Sequence, residues 1–185
     1  LSQMNLPSTS ISYPELAHDW YRALWELGVR VDFVSPNSLL EDLNAYELVL
    51  APMQYLMSDS QEHVLSNYVA NGKNLISSYF TGISNEDDSI KTGGYGGKLA
   101  TDVIGIHVEE FAPARSNEFV ELSNGYKATE WSQFAEATTA NVLAKFSSGE
   151  ASGSAAIVRS RAGNAWYIGT RLDDDSCKHF FDSVV

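Results

Sequence analysis

One cysteine and four histidines are the side chains of this sequence best suited to nucleophilic or metal chemistry. Cys177 shares an apolar stripe with Phe180, Phe181 and Val184, at positions i, i+3, i+4 and i+7 of a predicted helix. His179 is two residues from the thiol and therefore faces another side of that helix. A catalytic thiol needs exposure and a nearby base. The pattern therefore predicts a buried, structural cysteine, and a single cysteine excludes an internal disulfide.

Metal ligands and paired catalytic carboxylates are not indicated either. The histidines are scattered and none has a partner at i+4, as a helical zinc site would need: His18, His63, His107 and His179. The acidic segment 85–89 lacks the alternating ligands and the central glycine of a calcium loop. Glu109 and Glu110 are adjacent on a predicted strand, so they point to opposite faces and cannot flank a sugar together. We predict no catalytic residue, no metal site and no cofactor.

A glycine-rich stretch invites comparison with a phosphate-binding loop. Gly93, Gly94, Gly96 and Gly97 precede Lys98, but the next residue is leucine where that motif needs serine or threonine. The glycines are better explained by tight bends that end the long loop 81–98. A loop of this length inside a compact domain is usually functional or mobile.

The charge balance excludes two classes of partner. The 185 residues contain 12 Lys plus Arg and 24 Asp plus Glu, so the net charge is −12. Nucleic-acid binding needs clustered cations, and so does docking on an anionic membrane. Hydrophobic residues make up 44% of the chain, which is enough for a buried core of one domain. We expect a cytoplasmic protein.

The first half of the chain alternates helices with strands. Ser12 and Glu15 have the spacing of a capping box before an amphipathic helix, and a short strand is predicted at 29–34. Residues 48–51 form an apolar run typical of a strand buried on both faces, and a helix after Ser58 leads to a strand at 74–80. Such alternation predicts a mostly parallel sheet flanked by helices. Residues 1–12 are irregular and too polar for a central strand, so the first strand of the pattern is expected to be missing.

The second half is dominated by short strands. Turn signals at 124–125, 149–153 and 162–164 separate strand-like segments of apolar and β-branched residues. These predict strands at 106–111, 119–122, 126–131, 142–146, 155–159 and 165–170. A short helical segment is expected at 99–104 and a final helix after Asp173. Antiparallel strands are thus expected to be added to the parallel sheet.

Several stretches together resemble the middle, or trimerisation, domain of glycoside hydrolase family 42 β-galactosidases. In order along the chain they are 19–25, 31–36, 46–52, 55–58, 79–83, 87–95, 102–111 and 165–171. The resemblance extends over residues 13–185 and rests on the combination rather than on any one stretch. It implies an α/β domain that is flavodoxin-like or class I glutamine amidotransferase-like, without amidotransferase chemistry.

The resemblance also carries implications for function. In that family the domain follows a catalytic (β/α)₈ barrel that holds the acid/base and nucleophilic glutamates, and it mediates assembly of a homotrimer. This chain is then a fragment, 1–12 being irregular and 13–185 one domain, of an enzyme that hydrolyses terminal β-D-galactosides in oligosaccharides. Its partners would be itself and the barrel. No catalytic residue can be transferred to this sequence, because the barrel is absent from it.

Four residues are candidates for contacts between copies. Aromatic side chains anchor protein interfaces, which favours Tyr79, Phe80, Ile83 and Tyr95 in and beside the long loop. The alternative for each is packing within the domain. Two other functions stay open: a sugar-binding module that uses Trp and Tyr faces, and a cysteine-dependent amidotransferase-like hydrolase that uses Cys177.

Overall fold

The computed structural model describes residues 11–92, 95–114 and 118–185. The irregular segment predicted at 1–12 lies almost wholly outside the described residues, so its boundary with the domain stays a prediction. The elements in chain order are α1 (Tyr13–Glu26), α2 (Leu40–Leu43), β1 (Leu48–Ala51), α3 (Asp59–Ala70), β2 (Asn74–Ser78), a π-type helix (Leu99–Ile104), β3 (Ile106–Pro113), β4 (Val120–Glu121), β5 (Lys127–Thr129), β6 (Trp131–Ala137), β7 (Asn141–Lys145), β8 (Ala155–Arg159), β9 (Ala165–Ile168), β10 (Arg171–Leu172) and α4 (Asp174–Asp182).

The central sheet has five strands in the order β1-β2-β9-β8-β7. Strands β1, β2 and β9 are parallel, whereas β8 and β7 are added antiparallel. This is the mixed α/β sheet that the alternation of elements predicts. Two smaller antiparallel sheets, β3-β6 and β10-β5-β4, complete the second half.

The core lies on both faces of the central sheet because neighbouring residues of its strands point to opposite sides. Ile76 of β2 belongs to the cluster that also holds residues of α1 and α4, whereas Leu75 packs with α3 and the π-type helix. Strands β2 and β9 are therefore buried almost throughout. The two parallel pairings, β1 with β2 and β2 with β9, depend on this burial of both faces of the sheet.

Helix α1 begins where the sequence predicts, but its cap is only half of the predicted capping box. The Ser12 hydroxyl accepts a hydrogen bond from the Glu15 amide at 3.4 Å, while the Glu15 carboxylate is drawn instead to Arg171. The box at α3 is complete, since Ser58 and Gln61 each bond the other's backbone amide. At the start of α1, the Arg171 guanidinium, 156 positions away in the sequence, thus binds the carboxylate that a complete capping box would direct to the Ser12 amide.

The structure differs from the predicted strands in three places. Residues 29–34 lie in no helix or strand, and they form no ladder with any described residue. Conversely, residues 132–137 form most of β6, which the sequence does not indicate. The predicted strand 126–131 is also divided, because Glu130 adopts a positive φ of 62° between β5 and β6.

Candidate functional site

The long loop leaves β2 at an aromatic cluster. Phe80 lies 4.5 Å from the Trp131 ring centroid, Phe111 lies 5.0 Å from Trp131, and Tyr95 stacks on Phe111 at 4.4 Å. Tyr79 stacks on Trp131 at 6.2 Å. The cluster packs the start of the loop, just after β2, and its end at Tyr95 against residues of β3 and β6. It therefore fixes the positions of the two ends of the loop.

The four predicted contact residues occupy different positions in this cluster. Tyr79 and Phe80 are 1% exposed and Ile83 is 4% exposed, so all three pack inside the described chain. Tyr95 is half-buried and covers Phe111. Packing within the domain therefore accounts for the burial of the first three, and a role of the four in contacts between copies stays a prediction.

The start of the loop is a tight backbone turn. Phe80 and Gly82 have positive φ values of 62° and 72°, and a Cβ on Gly82 would lie 3.2 Å from the Gly96 carbonyl oxygen. The Thr81 hydroxyl donates to the Ala51 carbonyl at 2.9 Å. Glycine is needed at position 82 because two backbone segments approach closely there.

A buried ion pair holds the far side of the loop to α3. The Lys91 ammonium lies 2.9 Å from the Glu62 carboxylate, and their side chains are 13% and 8% exposed. Glu62 also accepts a hydrogen bond from the Leu99 amide at 2.8 Å, at the start of the π-type helix. A Cβ on Gly97 would lie 2.5 Å from the same carboxylate. The Glu62 carboxylate therefore holds both ends of the segment 91–99, Lys91 and Leu99, against α3.

The tip of the loop is folded on itself and presents one apolar side chain. The Asn85 side-chain oxygen accepts hydrogen bonds from the amides of Asp87 and Ser89 at 3.1 and 2.9 Å. Ile90 is 65% exposed beside the exposed acids of the tip. Ile90 is not among the four predicted contact residues, because a single isoleucine in the sequence carries no local signal of its exposure.

Arg171 gathers three carboxylates from distant parts of the chain. It lies 2.8 Å from Asp19, 2.7 Å from Glu130 and 3.2 Å from Glu15. Burial disfavours the charged guanidinium, but hydrogen bonds to Glu130 and Asp19 outweigh that effect and raise the pKa of Arg171. All three carboxylates pair with the one cation, so the cluster acts as an ionic clamp between α1, β10 and the turn at Glu130, although Glu130 Oε2 is buried without a hydrogen-bond partner.

Cys177 is where the sequence predicts it, on the buried side of α4. The residue is 3% exposed, and His179 is exposed on another side of the helix. Burial is the main cause that raises the pKa of the Cys177 thiol to about 12, and Asp19 acts in the same direction. The thiol is therefore protonated at neutral pH, which is the opposite of what a nucleophile requires.

Most of the tryptophan faces that a sugar could stack on are inside the fold. Trp20, Trp131 and Trp166 are 3%, 1% and 6% exposed, and the Arg159 guanidinium lies 4.7 Å above the Trp166 ring. Trp25 is 67% exposed on α1. Tyr13 and Tyr21 of the same helix are 39% and 37% exposed. Three of the four tryptophan rings are nevertheless closed to a sugar, so the sugar-binding module is not favoured.

Clusters of His, Cys, Asp and Glu decide whether a protein can hold a metal ion, and long apolar helices decide whether it can cross a membrane. Within 11–92, 95–114 and 118–185, no group of three or more His, Cys, Asp or Glu side chains is placed to hold a metal ion. None of the helices in these ranges has the length and apolarity to cross a membrane. Gly93 and Gly94 of the glycine stretch lie outside the described residues.

The fold and these sites define a class of protein: an α/β domain with a mixed sheet flanked by helices, with its thiol buried and its charged cluster engaged in holding the fold together. The chain belongs to the family described as β-galactosidase trimerisation domain, whose model matches residues 1–185.

Relatives and solved structures agree with that assignment. The chain is 33% identical over 183 residues to the β-galactosidase BgaB of a Geobacillus species and 30% identical over 181 residues to a β-galactosidase of an Arthrobacter species. These matches cover 96% and 97% of this chain but only 27% and 26% of the relatives. The crystal structure of β-galactosidase from Bacillus circulans sp. alkalophilus matches with a TM-score of 0.88 and 27% identity, over 95% of this chain and 27% of that one.

Proposed function

We propose that this chain is the non-catalytic assembly domain of a β-galactosidase that hydrolyses terminal β-D-galactosides. Its partners are two further copies, in a homotrimer, and a catalytic (β/α)₈ barrel that carries the glutamates of the reaction. The observation that carries the proposal is the match of the trimerisation-domain family over residues 1–185. The relatives, about a quarter of whose length the chain spans, are themselves named β-galactosidases.

The chemistry of the described residues supports a role in assembly rather than in catalysis. The thiol of Cys177 is buried and protonated, and the carboxylates around Arg171 are engaged in ion pairs with it. Glu62 anchors Lys91 and Leu99, near the end of the long loop, to α3, and such anchoring reduces the entropy that an interface would otherwise have to overcome. A loop ordered in advance suits a contact surface.

The test has two parts. The 185-residue chain is assayed with a chromogenic β-galactoside, and the expected result is no turnover above the rate without protein. A longer polypeptide that joins the chain to its barrel is then studied by light scattering and by the same assay, and we expect three copies and measurable hydrolysis. Turnover by the chain alone, or a monomer in the longer polypeptide, would overturn the proposal. A cytoplasmic location is part of the proposal and is checked by cell fractionation.

A further inference from the structure

The sequence contains two Asn-Gly pairs, Asn71-Gly72 and Asn124-Gly125. All four residues are exposed, and the two glycines have positive φ values of 82° and 86°. Because glycine has no Cβ, its backbone nitrogen is the least shielded from the side chain of the residue before it. An exposed Asn-Gly pair is chemically suited to deamidation, and the backbone around each pair decides whether the reaction takes place.

Deamidation needs water and a base but no enzyme. A base removes the proton of the glycine amide, and the amide nitrogen then attacks the asparagine Cγ. The Cγ–Nδ2 bond breaks and ammonia leaves with a proton from solvent, so that a five-membered succinimide remains. Water opens this ring at either carbonyl and gives aspartate or isoaspartate. A glycine amide that donates a hydrogen bond is not available for the attack, so the rate follows the fraction of time for which that bond is open.

The pair at Asn71 ends α3 and is held from two sides. The Gly72 amide donates to the Val69 carbonyl at 2.9 Å. The Asn164 side-chain amide donates to the same Val69 carbonyl at 2.7 Å and to the Lys73 carbonyl at 3.0 Å. Strand β2, inside the central sheet, begins at the next residue. Releasing the Gly72 amide therefore means loosening the junction of α3 with β2, which a side chain 91 positions away holds together.

The pair at Asn124 lies at the tip of the hairpin between β4 and β5, which are two and three residues long. The Gly125 amide donates to the Leu122 carbonyl at 2.9 Å, and the Tyr126 amide donates to Asn124 Oδ1 at 3.2 Å. Both of these bonds begin and end within the turn. The tip can therefore open without any change in the central sheet or in a helix.

The bond to the Asn124 side chain also brings the reacting atoms together. Because Oδ1 accepts the Tyr126 amide, the carboxamide is folded over the peptide bond that follows it instead of extending into solvent. The Ser123 amide donates to the Lys145 carbonyl at 2.9 Å, so the base of the turn stays anchored while the tip opens. Release of the Gly125 amide from its one partner then leaves the nucleophile beside Cγ.

We propose that Asn124 is a deamidation site of the folded chain and that the fold protects Asn71 from the same reaction. Water is the co-reactant, and the products are ammonia and a carboxylic acid at position 124. Aspartate adds one negative charge to a chain that already carries −12. Isoaspartate also lengthens the backbone of the turn by one carbon, which disturbs the register of Glu121 with Lys127.

The experiment follows both asparagines in the intact 185-residue chain during incubation at mildly alkaline pH. Peptide mapping by mass spectrometry detects the replacement of the side-chain nitrogen by oxygen, and electron-transfer fragmentation separates aspartate from isoaspartate. In the folded chain we expect conversion at Asn124 to be at least about tenfold faster than at Asn71, because the turn opens more often than the junction of α3 with β2. In guanidinium chloride the two rates should become similar, since both asparagines precede glycine.

Two variants serve as controls. Asn124→Gln should abolish conversion in the turn, because the longer side chain would have to close a six-membered ring. Asn164→Ala removes the second donor to the Val69 carbonyl, and we expect conversion at Asn71 to become several times faster. Asn124, which lies in another sheet, should keep its rate in this variant and serves as the internal reference.

Equal rates at the two sites of the folded chain, or a faster rate at Asn71, overturn the proposal. It is also overturned if Asn124 converts in guanidinium chloride but not in the folded chain, or if the signal persists in Asn124→Gln. A common rise of both rates in Asn164→Ala would show that Asn71 is not protected by this contact, and the protective role of the fold would then be wrong.

Discussion

Arg171 shows how single residues hold distant parts of this fold together. Its partner Asp19 is 152 positions away in the sequence, and both side chains are about 15% exposed. Glu130 completes the cluster from a backbone position with a positive φ. Removing the cation would leave these acids close together and partly buried with no partner, and such a loss costs more than the pair contributes.

We therefore expect Arg171→Ala to lower the free energy of unfolding by about 2–4 kcal/mol, because two partly buried carboxylates lose their partner. Lys178→Ala is the matched control, since Lys178 pairs with the 40%-exposed Glu26 at the surface and touches none of these acids. The control should cost much less, as is typical of a surface ion pair. Urea denaturation followed by circular dichroism measures both, and equal effects of the two variants would refute the clamp.

Cys177 gives a second prediction at this scale, through pH. Its pKa is raised to about 12 in the folded state from a usual value of 9.0, so the folded chain holds the proton more tightly than the unfolded chain. This contribution to stability is complete below about pH 9, the usual thiol pKa, and is lost as pH rises toward the folded value. In Cys177→Ala the decline in stability between pH 9 and 11 should be shallower than in the unsubstituted chain.

The same thiol should be inert when the chain is folded. We expect its reaction with Ellman's reagent at neutral pH to be at least about 100-fold slower in the native chain than in guanidinium chloride, because burial removes both access and thiolate. A native rate close to the denatured rate would contradict the buried position and would return the cysteine-dependent hydrolase to consideration.

At the scale of elements, the loop between β2 and the π-type helix depends on Glu62. Glu62→Gln removes the charge that pairs with Lys91, and we expect a loss of about 2–3 kcal/mol together with faster amide exchange over residues 82–92. Asp59→Asn is the control, because Asp59 also approaches Lys91, at 3.6 Å, but is 99% exposed. If the two variants loosen the loop equally, the buried pair is not what orders it.

The elements also show where sequence patterns succeed and fail. Helices α1, α3 and α4 were predicted because caps and apolar stripes are local features. Strand β6 was missed because its buried residues include Ser132 and Gln133, which interrupt the apolar pattern. Gln133 is acceptable there because its amide donates to the Tyr167 hydroxyl at 3.0 Å, and that partner lies 34 positions away.

At the scale of the whole molecule, the net charge opposes the proposed assembly. Each copy carries −12, so three copies carry about −36, and their mutual repulsion opposes a trimer. Added salt screens such repulsion but leaves apolar contacts in place. In the longer polypeptide we expect the trimer to dissociate less readily at 500 mM than at 20 mM sodium chloride, measured by analytical ultracentrifugation. Dissociation that increases with salt would instead indicate that ion pairs hold the copies together.

The candidate contact residues illustrate the limit of composition as a guide to interfaces. Aromatic residues in a long loop suggested contacts between copies, yet Tyr79 and Phe80 are each 1% exposed and both pack on Trp131. Ile90, which is neither aromatic nor conspicuous, is the exposed apolar residue of that loop. Exposure depends on which strands come together, and no local pattern records that.

The family, the alternation of helices and strands in the first half and the buried position of Cys177 all follow from the sequence alone. The family follows from a combination of stretches along the chain, and the other two follow from residues near one another, where spacing fixes which side chains share a face. Only the tertiary structure decided that segment 29–34 forms no ladder, that residues 132–137 form a strand and that Arg171 meets Asp19. Those outcomes depend on contacts between distant segments, and such contacts form only when the crossovers have brought the segments side by side.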